Sequence, residues 1–156
     1  MTAGSAALLL ACAGCFGLTA VSAVVPWVNA EIVLLSFTAT ASSPGAVAAL
    51  VIVAAAGQMT GKLALYAAGR KGSRTSSPRI ARLLEVWRPR CMANPAHADR
   101  LVLVSSTIGV PPFIMTSLLA GALGMDRVRF VIAGSIGRLL RFGVIATLGN
   151  VVTGFF

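Results

Sequence analysis

Glu31, Lys62, Arg138 and Arg141 stand inside long stretches that otherwise carry no charge. An ionisable group in hydrocarbon is expensive, about 2.5–3.5 kcal/mol for a central Arg on insertion scales, so such residues have partners or tasks. Arg138 and Arg141 are three apart and share one helix face. Glu31 is the only acidic residue before Glu85 and the only carboxylate at membrane depth. The expectation is that Glu31 meets Arg138, Arg141 or Lys62 in a central polar cavity. A partly desolvated carboxylate beside a base can gain and lose a proton. The bases can bind a phosphate or another anion, Arg being suited to bidentate phosphate contact. The plainer alternative is an ion pair that only clamps two hairpins together.

Composition sets the medium. Of 156 residues, 57% are apolar and 11% charged, against about 25% charged in a soluble domain. Mean hydropathy is +0.89. A soluble enzyme, a disordered tail and a disulfide scaffold are excluded, which leaves an all-α integral membrane protein of one domain. Thirteen Lys and Arg against four Asp and Glu give +9. No basic–aromatic interleaving accompanies that charge, so it predicts cytoplasmic loops and no nucleic acid. Cys12 and Cys15 form a C-x-x-C inside an apolar run, away from any βαβ context, and read as small packing residues. Neither they, nor Cys91, nor the lone His97 make a metal site, and no cofactor is expected.

The elements follow from charge and proline. Ala6–Val25 is long enough to span. Met1–Ser5 has no positive charge, which argues against a signal peptide. The same absence argues against the faint lipoprotein box at Leu9–Cys12. Pro26 interrupts the helix, and the apolar run after Glu31 closes at Ser42-Ser43-Pro44-Gly45. That segment reads as a broken, re-entrant helix. Ala46–Gly69 is a second span with Gly57-x-x-x-Gly61, a pattern that lets helix backbones approach closely. Residues 70–100 hold eight bases against Glu85 and Asp99 and read as a cytoplasmic loop. Pro78–Trp87 within it has the spacing of a short amphipathic helix. Leu101–Met125 is uncharged and broken by Gly109, Pro111 and Pro112, which predicts a second re-entrant hairpin. Phe130–Thr153 is the last span.

The two halves, 1–69 and 101–156, repeat each other. Val25-Pro26 matches Val110-Pro111. Gly61-Lys62-Leu63 with Tyr66 matches Gly137-Arg138-Leu139 with Phe142. One half's span runs towards the cytoplasm and the other's away, an inverted repeat of the kind secondary transporters use.

The order Pro26, Glu31, Gly57-x-x-x-Gly61, Tyr66-x-x-Gly69-Arg70, Pro111, Ala120-Gly121-x-x-x-Met125, Phe130, Gly137 resembles the DedA family. This is the group with the SNARE-associated Golgi or VTT domain. The nearest match is its YqaA-like branch, in which Gly-base-x-x-Arg-aromatic also occurs in the last span. The resemblance runs from about Val25 to Ala146. It implies two opposed re-entrant hairpins and a proton-coupled translocator of lipid, some members serving to recycle the undecaprenyl phosphate carrier. It places Glu31 on the family's membrane-embedded glutamate. Two departures stand out. Lys62 occupies a position that is acidic in the main branch, and the second hairpin lacks that branch's arginines.

The expected function is therefore a small transporter or lipid flippase, not an enzyme. Glu31 would carry the proton, and Lys62, Arg138 and Arg141 would bind the head group. Pro26, Gly57, Gly61, Tyr66, Gly69, Arg70, Pro111, Pro112, Gly121 and Gly137 would shape the fold. The expected partners are membrane lipid, protons and a second copy of the chain, in a bacterial-type cytoplasmic membrane. The alternative is a non-transporting scaffold or assembly factor that works through the basic loop.

Overall fold

The structure, a computed structural model, describes residues 3–25, 27–41, 43–72, 82, 85–86 and 94–154. Among them there are six helices and no strand: α1 Ala3–Ser22, α2 Ala30–Thr38, α3 Pro44–Gly72, α4 Pro95–Ile108, α5 Phe113–Ala122 and α6 Arg127–Gly154. Three are long and apolar enough to cross a membrane, over Ser5–Ser22, Pro44–Gly72 and Arg127–Gly149. Pro26 and most of Pro78–Trp87 lie outside the described residues.

The chain runs twice through one order of elements: a helix, a break, a short helix, a turn and a long helix. The first round has 20, 9 and 29 residues, and the second 14, 10 and 28. The short helices rise only about 14–15 Å, half of the roughly 30 Å hydrocarbon core. In the first round α1 ends at Ser22, short of the expected Val25. Val25 precedes a proline, which disfavours the α conformation there, and the chain turns with Val25 N–H donating to Val21 C=O at 2.9 Å. Asn29 then caps α2, its Oδ1 accepting from Glu31 N–H at 2.8 Å. Ser43 caps α3, accepting from Ala46 N–H at 3.2 Å, with Pro44 in the first turn, where its missing N–H costs nothing.

In the second round α4 starts at Pro95, inside the stretch expected to be loop up to residue 100. Asn94 caps it and accepts from Ala96 N–H at 2.9 Å. His97, Asp99 and Arg100 are thus helical. Gly109 closes α4 with φ 90°, where glycine alone is at ease. A cis Val110–Pro111 bond follows, and Pro112 precedes α5. Three hydroxyls bond within and beside this break. Ser105 Oγ donates to Pro111 C=O at 2.6 Å and lies 2.7 Å from Thr116 Oγ1, and Ser117 Oγ donates to Phe113 C=O at 2.5 Å.

Two compact units emerge, Met1–Gly61 with Arg138–Phe156, and Lys62–Gly137. Each holds one broken helix pair and a part of each long helix, α3 and α6. The first has a core of Cys15, Leu34, Leu50, Ala54, Ala55 and Phe142. There Gly57 and Gly61 let α3 lie on α1. A Cβ on either would come 2.5 Å from a carbonyl oxygen, of Phe16 or of Ala20. In the second unit Phe130 is fully buried and stacks with Tyr66 and Phe113, centroids 5.0 and 6.2 Å apart.

Candidate functional site: a paired carboxylate in the first unit

The face of α2 formed by Ala30, Leu34 and Thr38 is buried. It packs into the core that holds Phe142 of α6. This packing brings Glu31, in the first turn of α2, to Arg141, the residue before Phe142. Arg141 Nε donates to Glu31 Oε1 at 2.7 Å, and Nη2 bonds to the same oxygen. The capped N-terminus of α2 adds its partial positive charge beside the carboxylate. Neither side chain is sealed: 32% of Glu31 and 25% of Arg141 is exposed. The carboxylate is therefore held by a base and only part-buried within the protein.

Of the three bases expected around Glu31, the structure pairs it with Arg141. Arg138, one turn earlier on α6, is half-buried with its guanidinium 5.7 Å from the Phe142 ring centre. Glu31, Arg138 and Arg141 all lie in the first unit. Lys62 lies in the second unit, buried to 3% exposure, with Nζ 5.5 Å from the centre of the Phe113 ring. An ammonium over an aromatic face is an attractive pair. Phe113 was not singled out by sequence reasoning. Its signal was its place directly after the Pro111-Pro112 break.

The expected glycines of the second unit fall on packing surfaces. Gly69 lies against the Leu118 backbone and Gly121 against that of Tyr66. Added Cβ atoms would come 2.8 Å from the carbonyl carbons of Leu118 and Tyr66 respectively. Tyr66 Oη donates to Met125 C=O at 2.5 Å and accepts from Arg70 Nη1 at 3.1 Å. Gly137 faces Ser106 and Thr107. Sequence reading also passed over Gln58, a buried amide that donates to Ser22 Oγ at 2.7 Å, and over the Asp99–Arg129 ion pair. Cys15 is in the first unit's core and Cys12 packs against it. No group of three His, Cys, Asp or Glu side chains that could hold a metal occurs among the described residues.

No family model, no curated protein and no solved structure matches this chain.

Proposed function

We propose that this chain is an integral membrane protein that translocates an anionic, phosphate-bearing lipid, coupled to protons. In this reading it is a DedA-like transporter whose two broken helix pairs are opposed re-entrant hairpins. The observation that carries the reading is the half-exposed Glu31–Arg141 pair beside Arg138, on helices otherwise apolar enough for lipid. Intramembrane ionisable groups mark pathways more often than clamps. The repeated element order fits a duplicated half, as in the inverted repeats of secondary transporters.

The chemistry is an exchange of partners. An anionic head group competes with Glu31 for Arg141, and Arg138 adds a second contact. Glu31, left without its counter-ion in apolar surroundings, takes up a proton, because an unpaired carboxylate there is costly. Release of the head group returns Arg141 to Glu31 and expels the proton. Lipid movement and proton movement are thereby linked through one guanidinium. The test is reconstitution into liposomes with a fluorescent anionic lipid on one leaflet. Wild type exchanges the probe faster than protein-free vesicles, and Glu31→Gln does not. A Glu31→Gln rate equal to wild type overturns the assignment of Glu31.

A further inference from the structure

The second unit contains a cavity of about 370 Å³ lined by Leu63, Tyr66, Ala67, Arg70, Lys71 and Arg127. None of these residues is Glu31, Arg138 or Arg141. Three of the six are cations and none is a carboxylate. Elsewhere in this unit Asp99 pairs with Arg129, and Asp126 Oδ1 accepts from Arg129 N–H at 3.0 Å at the start of α6. Arg70 is held in place. Its Nη1 donates to Tyr66 Oη, whose own proton goes to the Met125 carbonyl. Arg70 and Lys71 lie at the last turn of the long apolar α3, and Arg127 at the first turn of α6. The cavity therefore sits at one end of two membrane-length helices, with a basic mouth and an apolar wall of Leu63 and Ala67.

We propose that this cavity binds the phosphate group of an anionic lipid, the acyl chain running along Leu63 and Ala67. A phosphate carries up to two negative charges and three acceptor oxygens, which three lining cations, one of them the fixed Arg70 guanidinium, match. Basic pockets at the ends of spans take acidic head groups in this way. The inference needs the membrane placement of α3 and α6 and does not need translocation. A lipid held here anchors the second unit to a charged leaflet whether or not the first unit moves lipid.

The test is binding by the purified full chain in neutral detergent, read by native mass spectrometry and by quenching of a labelled ligand. The ligands are short-chain phosphatidic acid, short-chain phosphatidylcholine and inorganic phosphate. Phosphatidic acid is expected to bind more tightly than either of the others. At about 1 kcal/mol per charge, affinity falls roughly fivefold per cation removed, so the Arg70→Gln/Lys71→Gln/Arg127→Gln variant binds about a hundredfold more weakly. Loss of Arg70 also removes a contact to Tyr66. The Lys71→Gln/Arg127→Gln variant spares that contact and is expected to bind about twenty-five-fold more weakly. Unchanged affinity in this double variant overturns the proposal. So does inorganic phosphate binding as tightly as the lipid, which would make the ligand a soluble anion.

Discussion

At the scale of single residues, the question is whether Glu31 and Arg141 work or only hold. The pair is part-buried, and removing one partner leaves the other charge uncompensated in apolar surroundings, so either single charge loss destabilises. Exchanging the charges, Glu31→Arg with Arg141→Glu, separates the two roles. A clamp regains both stability and activity. A proton carrier placed at the start of α2 regains only stability, because the carboxylate has moved to another helix. Thermal unfolding in detergent and lipid exchange in liposomes, on the same preparations, are expected to show recovery of the first and loss of the second. The sequence marked Glu31 and all three bases, since charge in an apolar run is conspicuous. It could not choose among them. Arg138 and Arg141 share a face, and only the packing of Leu34 and Phe142 into one core decides which of the two reaches Glu31.

At the scale of elements, prolines and glycines carried most of the legible structure. Both breaks, the short helices and the long spans were anticipated, because Pro and Gly cannot continue a lipid-facing helix at low cost. The boundaries were less legible. Asn94-Pro95 reads as loop by polarity, yet an Asn cap followed by Pro starts a helix, and local hydrogen bonding outweighed composition. Helix contact through glycine was foreseen at Gly57 and Gly61. Its partners were not, since they lie far along the chain in α1. Gly121→Ala places a methyl against the Tyr66 carbonyl, a rigid neighbour. It is expected to lower stability by about 1–3 kcal/mol. Gly17→Ala, with nothing within 4 Å of the added carbon, is expected to be neutral or to stabilise by up to roughly 1 kcal/mol. Paired thermal melts of the two variants check this. Equal melting temperatures would mean that α5 does not pack so closely on α3.

At the scale of the whole molecule, charge predicts an orientation. Ten of the thirteen basic residues fall at 70–100 and 127–129, outside the apolar stretches, which predicts that both segments are cytoplasmic. The native cysteines test this without substitution. Cys91 is expected to react with a membrane-impermeant maleimide in inside-out vesicles and not in right-side-out ones. Cys12 and Cys15, packed within α1 and its core, are expected to stay unlabelled in both. The opposite pattern at Cys91 would invert the orientation and place the Arg70–Arg127 cavity on the outer leaflet.

In the proposed function, lipid movement and proton movement meet at Glu31. This coupling is tested most directly by anionic lipid flux in proteoliposomes at equal pH and under an imposed pH gradient, for wild type and Glu31→Gln. The gradient is expected to change the wild-type rate and leave the variant at the rate of protein-free vesicles. A wild-type flux that exceeds that of protein-free vesicles but ignores the gradient, or one that Glu31→Gln reproduces, would mean that proton and lipid movement do not meet at Glu31.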